Sequence, residues 1–305
     1  MEVAVHPGSC SQQSVRQSPA ATLRTATTGY VGSMPDVNVL YRHPRYYDIV
    51  FRRSVAPEVD FLVDLFQKHV GRPLRSVIEL GCGPGYHARA LARRGCAARG
   101  LDRSEEMIRF ARQEAEIEGA AVEWIVGDMR DFELPTPVDL ACCLFDSIDG
   151  LHSIDDFVRH FRAVARSLVP DGLYVIGQSH QRDTSLIDYG PFHYEGERDG
   201  CKVVLDWATD VRTHTLTQTA DVEIVVRVDD NGAQIEHRHR TVESFATPLF
   251  LAATARLSAA VEPFAWYGAF RLDQPYDDSP ASTHCITVLR KLPTSTAQAR
   301  PRQSW

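Results

Sequence analysis

A chain of 305 residues with 44% apolar side chains can bury a sizeable core and hold one large domain or two small ones. Its 33 Lys and Arg stand against 40 Asp and Glu, and a formal charge of −7 speaks against a nucleic-acid partner, which would need a basic face. No run approaches the ~18 apolar residues of a membrane span and no apolar core marks a secretory signal, while seven cysteines without a C-x-x-C pair or zinc spacing read as reduced thiols of a cytoplasmic protein.

Residues 1–33 are rich in Ser, Thr, Gln and Ala, lack apolar periodicity and are expected to be a disordered extension. Two alternatives stay open: a targeting segment, with Arg16 and Arg24 among hydroxyl residues, or a true start at Met34. The segment LYRHPRYYDIVFRR (40–53) precedes a helix predicted over 57–70, whose Phe61, Leu62, Leu65 and Phe66 share a face. Tyr41, Tyr46, Tyr47 and Phe51 serve either as core packing or as a lid.

The densest signal runs from Ser76 to Gly95. Ser76 to Leu80 reads as a short buried strand with Glu79 near its exit. Gly81, Cys82, Gly83, Pro84 and Gly85 form a tight turn, and His87 to Arg94 regain helical spacing. Strand, glycine turn and helix bring backbone close to a ligand at a strand's carboxyl end. The spacing is G-x-G-x-G rather than the dinucleotide pattern G-x-G-x-x-G.

A second strand, Ala97–Leu101, ends in Asp102, a carboxylate placed to accept ribose hydroxyls. Ser104 caps the next helix, with Glu105 and Glu106 in its first turn. The third strand, Val122–Val126, leads into Gly127-Asp128-Met129-Arg130-Asp131, where Asp128 can accept from an adenine amino group and Met129 can pack on the ring. Val138–Phe145 is nearly all apolar, as a central parallel strand should be, and ends in Asp146. Ser153 caps an amphipathic helix carrying Ile154, Phe157, Val158, Phe161, Val164, Ala165 and Leu168. Pro170-Asp171-Gly172 is expected to stop it before a fifth strand, Leu173–Gly177. Such strand–helix repeats predict a doubly wound, mostly parallel seven-stranded α/β sheet.

The period then changes. Residues 201–209, 216–229 and 233–244 alternate, with a hairpin turn at Asp230-Asn231-Gly232, so about three antiparallel strands form an insert. A helix over 248–260 and strands near 261–270 and 283–292 complete the chain. The expected divisions are an extension (1–33), a core with its lid (34–186), the insert (187–245), completion of the core sheet (246–292) and a disordered tail (293–305).

VIELGCGPGYHARALARRG, GLDRSEEM, VGDMRDF and LFDS, in that order, are similar to the motifs of class I S-adenosylmethionine-dependent methyltransferases. The resemblance covers roughly residues 39–292. The Tyr-Asp-x-x-Phe segment at Tyr47–Phe51, the antiparallel insert and the closing Trp266-Tyr267-Gly268 and Tyr276-Asp277-Asp278-Ser279 resemble the small-molecule branch, including amino-sugar and glycine N-methyltransferases. Pro84 and Tyr86 are mild departures in a variable turn. The resemblance implies a Rossmann-like fold and S-adenosyl-L-methionine as cofactor. It implies that Gly81, Cys82 and Gly83 contact the methionine part, Asp102 and Arg103 the ribose, Asp128 and Met129 the adenine, and Leu144 and Phe145 the inner edge, with Tyr47 closing over the methionine end.

Methyl transfer is an in-line displacement from a cofactor that arrives activated, so the protein mainly aligns the reactants. The substrate is expected above the fourth and fifth strands, faced by Asp146, Asp149, His152, His180, His193 and Tyr194. Asp146 is the candidate to orient an amine; His152 and His180 are the general-base candidates. No metal is expected, since His237 and His239 lack a third ligand in register. The expected function is N-methylation of a small amine. O- or C-transfer, or a cofactor-binding partner protein without turnover, remain as alternatives. Expected partners are a small-molecule substrate and no membrane or nucleic acid, with a homodimer left open.

Overall fold

The computed structural model describes residues 39–179, 191–277 and 279–293; the expected extension, most of the tail and His180 lie outside them. Two short helices, α1 (Val39–Arg42) and α2 (Pro44–Phe51), precede α3 (Ala56–Val70). α3 buries Phe61, Leu62, Leu65 and Phe66 and ends on Gly71 in the left-handed conformation, the usual helix stop. The chain continues as β1 (Ser76–Leu80), α4 (Tyr86–Arg93), β2 (Ala97–Asp102), α5 (Glu105–Glu118), β3 (Val122–Val126), β4 (Val138–Cys143), a 3-10 turn (Ser147–Gly150), α6 (Ile154–Ser167) and β5 (Leu168–Ser179). Ser104 and Ser153 cap α5 and α6 as their residue type predicts, each Oγ accepting a backbone N–H from Met107 or Asp156. β6 (Phe192–Arg198), β7 (Cys201–His214), β8 (Thr219–Asp230) and β9 (Ala233–Ser244) follow, then α7 (Pro248–Ser258), β10 (Val261–Tyr267) and β11 (His284–Lys291).

Seven strands form one sheet in the order β10-β11-β5-β4-β1-β2-β3. β1 to β5 are parallel, β11 runs antiparallel to β5, and β10 antiparallel to β11. β1 is flanked by β2 on one side and β4 on the other, so the connections leave it in opposite directions. That switch point, outside the strands' carboxyl ends, is where ligands bind in open α/β sheets. One sheet face buries Phe157, Phe161 and Leu251 of α6 and α7. The other buries Leu62, Leu65, Phe66 and Leu91 of α3 and α4.

The insert contains four strands, not three, in the order β6-β7-β8-β9. β6 was hidden because Phe192 and Tyr194 are its only apolar side chains and Gly196 weakens a strand pattern. That glycine has a packing reason: a Cβ on Gly196 would lie 2.3 Å from the carbonyl oxygen of Ile49 in α2. α1 and α2 lie against this second sheet. Leu40 is fully buried with Val203, Leu205, Ile224, Val226 and Val228, and Tyr41, Tyr46, Tyr47 and Phe51 pack around them. The aromatic segment thus packs as a core and joins the insert. The β8–β9 hairpin turns at Asn231 and Gly232, both with positive φ, as the sequence pair predicts.

β5 also begins earlier than its sequence indicates. α6 ends at Ser167, and Leu168 already pairs with Val138; the next pair is Leu173 with Leu140. Between these pairs four residues of β5 stand against one of β4 and bulge at Pro170-Asp171-Gly172, so the breaker residues interrupt a strand instead of preceding it. Ile154, expected on the apolar stripe of α6, is 51% exposed at its first turn.

Candidate active site

The glycine turn is held from both sides. Glu79, almost fully buried, accepts from the Ala88 backbone at the start of α4 (2.9 Å) and meets His87 Nδ1 at 2.7 Å. Gly81, Gly83 and Gly85 all have positive φ, which side chains with a Cβ rarely adopt. At Gly85 space decides as well, because a Cβ would fall 2.2 Å from the Trp124 ring of β3. Gly83 is the opposite case: no described atom lies within 4 Å of where its Cβ would be, so the backbone is open to an incoming group.

Asp102, at the end of β2, stands across from this turn. Its Oδ2 accepts from Gly83 N at 2.8 Å and its Oδ1 from Ser104 N at 2.9 Å. Burial raises its pKa, opposed by those two amides and Arg103. A carboxylate has about four acceptor sites, so each oxygen keeps a spare lone pair, and two vicinal ribose hydroxyls match that pair. The half-buried phenols of Tyr41 and Tyr47 lie in the field of Asp102; burial pushes Tyr41 up to about 12 and Tyr47 further. Glu79 and Asp146 add to the negative field at Tyr47, which suits a cationic sulfonium. These residues fit a nucleoside bearing a positive charge.

The loop after β3 is more committed than its sequence suggests. Both Asp128 oxygens already accept from the Arg130 guanidinium, and Oδ1 also accepts from the Arg130 backbone. Arg130 bridges onward to Asp156 at 3.0 Å. The Met129 carbonyl faces Nδ1 of the fully buried His160 at 2.8 Å, and His160 Nε2 meets the Tyr174 hydroxyl at 2.7 Å. A carbonyl only accepts, so Nδ1 carries the proton and Nε2 accepts from the tyrosine. Burial lowers His160 to about 4. The Cys82 thiol is buried beside Gly100. Arg103 is exposed beside Asp102.

Past β4 the chain turns sharply. Phe145 and Asp146 are consecutive non-glycine residues with φ of 52° and 56°, a strained pair of the kind functional sites retain. The Asp146 carboxylate is fixed by Ser179, accepting from its N at 2.7 Å and its Oγ at 2.8 Å. Burial raises Asp146, and it raises Asp149 well above the carboxylate range, with Asp146 and Glu243 adding to the latter. A narrow cleft opens here, lined by Leu144, Phe145, Asp146, His87, Glu58 and His284 among others. His284 starts β11 opposite Ser179 in the register. Burial lowers its pKa, partly offset by Asp146 and Glu58. Tyr194 packs on Phe51 and senses the charges of Asp146 and Glu243.

Other expected residues lie apart from this cleft. His152 neighbours Val242, Asp156 and Arg103, on the side of Asp102 and Arg130, and its pKa is lowered by surrounding protein. His193 bonds Asp206 at 2.6 Å on an exposed face. Glu58 and His284 were missed. Glu58 had a readable signal, since it lies three, four and seven residues before Phe61, Leu62 and Leu65 and so places a carboxylate on the apolar stripe. His284 had none, because only the strand order brings it to Asp146. A wider hollow lined by Arg42, Tyr46, Glu106, Arg109 and Asp230 holds none of the glycine turn, Asp102 or Asp146.

Residues 77–172 match the family model described as a methyltransferase domain. This stretch is similar to methyltransferase domains. It contains the glycine turn, Asp102, Asp128 and Asp146. The chain is 29% identical over 137 residues to a dTDP-4-amino-2,3,4,6-tetradeoxy-D-glucose N,N-dimethyltransferase of Saccharopolyspora spinosa, covering 44% of this chain and 53% of that protein. It is 29% identical over 133 residues to a dTDP-3-amino-3,6-dideoxy-alpha-D-glucopyranose N,N-dimethyltransferase of Streptomyces fradiae, covering 43% and 50%. The match thus spans about half the length of these relatives. A crystal structure of an S-adenosylmethionine-dependent methyltransferase from Clostridium acetobutylicum superposes with a TM-score of 0.66 at 14% identity, over 83% of this chain and 99% of that one. The described residues therefore share that fold.

Proposed function

We propose that the chain is an enzyme that transfers a methyl group from S-adenosylmethionine to an amine nitrogen of a small molecule. The observation that carries the reading is the pairing of two sites at one sheet edge: Asp102 with the open Gly83 turn, and the acidic cleft of Asp146 and Glu58 beside Leu144. The bound cofactor would supply an activated methyl group; Asp102 would hold its ribose. The chain's own task is to align the acceptor and take its proton. An ammonium must lose a proton before its lone pair can attack, and Asp146, fixed by Ser179, orients it there. His284 is suited to receive that proton, because burial keeps its ring neutral near pH 7.

The two relatives are named for amino groups of dTDP-linked sugars, so amino sugars are the first acceptor class to offer. The described cysteines are all buried free thiols, which supports work in a reducing compartment such as the cytoplasm. No helix among the described residues is long and apolar enough to cross a membrane. The test is transfer of labelled methyl from the cofactor to panels of amino sugars, phenols and acids. N-methyl product is expected, with at least a tenfold loss of turnover in Asp146→Asn. Full turnover of that variant on an amine, or product methylated on oxygen alone, would contradict the reading.

A further inference from the structure

Glu58 is the most anomalous buried group in the cleft. Its side chain is 4% exposed, and its Oε1 pairs with Arg53 Nη2 at 2.5 Å. Its Oε2 has no hydrogen-bond partner among the described residues. A buried carboxylate oxygen left unpaired is costly and is normally filled or avoided. Arg53 is unlike its partner, with a side chain 45% exposed. It reaches in from solvent, donates Nη1 to the Ser54 carbonyl at 3.0 Å, and places its guanidinium carbon 4.6 Å from the Phe145 ring centroid. The two groups that receive it are fixed: Glu58 by the first turn of α3, Phe145 by its left-handed backbone after β4.

An aromatic face and a buried carboxylate at one corner form a cation receptor. Here a flexible side chain of the same protein fills it. The corner borders Leu144 and Asp146, where the acceptor is to be methylated. We propose that the Phe145–Glu58 corner is the subsite for the substrate's ammonium group, and that Arg53 is its internal stand-in, displaced as the substrate enters. This rests on the amine-methylation reading above. Arg53 then acts as a competitor that excludes neutral and weakly cationic molecules, while Glu58 Oε2 gains its missing partner only from the substrate. No bond is made or broken in the exchange: one cation leaves for solvent as another arrives.

The full chain, saturated with S-adenosylhomocysteine, would be titrated with tetramethylammonium, a cation that cannot be methylated, and followed by ligand-observed NMR. Binding to wild type is expected. Arg53→Met, a change at a largely exposed side chain, should bind about tenfold tighter because the competitor is gone. Glu58→Gln, of equal size, should bind at least tenfold more weakly because the corner loses its negative charge. Arg53→Met binding no tighter, Glu58→Gln binding like wild type, or no binding to wild type would each overturn the subsite. Calorimetry with S-adenosylhomocysteine on the same samples separates the failures. If wild type binds it while tetramethylammonium ignores both substitutions, only the subsite falls; if wild type does not bind it, the methyltransferase reading falls and the subsite with it.

Discussion

His160 shows how one buried side chain can hold a loop in place. It ties the Met129 carbonyl to Tyr174 in β5, and burial favours its neutral ring. Its pKa falls from 6.5 to about 4 on folding, so between these values the unfolded chain binds more protons. Stability therefore falls as pH drops from 6.5 toward 4, by about 3 kcal/mol for this group alone. Urea unfolding at pH 7 and pH 4.5 should show a smaller pH loss in His160→Gln than in wild type; equal losses would mean that His160 is not the group responsible. His284 is displaced in the same direction by burial. If it accepts the substrate's proton, the acid limb of kcat/KM should lie below the ordinary imidazole value. His284→Gln should remove that limb.

Among the elements, the N-terminal helices are held by a single carboxylate. Asp48 is fully buried on α2 and accepts from Tyr86 of α4 at 2.8 Å, Arg52 of its own helix end at 2.9 Å and Arg198 of β6 at 2.7 Å. Three elements therefore meet at one anion. Asp48→Ala would leave Arg198 and the Tyr86 phenol without this acceptor and Arg52 with Glu114 alone, and should cost roughly 1–3 kcal/mol in denaturant unfolding. Asp48→Asn, which keeps an acceptor, should cost less. A second contact is steric: Gly196→Ala would press β6 against the Ile49 carbonyl, with an expected loss of about 1–3 kcal/mol. A loss below 0.5 kcal/mol would show that the strand can shift to make room.

Across the whole molecule, local chemistry was readable and long-range placement was not. The first four strands, their caps and the glycine turn were legible because each is specified within a few residues: apolar runs, Ser at the helix starts, glycines where φ is positive. Asp102 was legible for the same reason, as it ends a strand about 20 residues beyond that turn. β6 was not, because its glycine answers to a helix 150 residues earlier rather than to its own neighbours. Ser179 faces Asp146 because β5 runs beside β4, and His284 reaches it because β11 inserts between β5 and β10, an arrangement no local pattern encodes. Asp128 illustrates the limit at a recognised motif, since nothing in its spacing shows that Arg130 takes both oxygens.

The central claim is that Asp102 and the glycine turn form a nucleoside site serving the cleft at Asp146. Calorimetric titration of the full chain with S-adenosylmethionine, beside Asp102→Ala, tests it most directly. The account predicts micromolar binding by wild type and its loss in the variant, whose spare acceptor sites are gone while β2 and α5 remain. Absence of binding by a folded wild type, or equal binding by the two proteins, would contradict it.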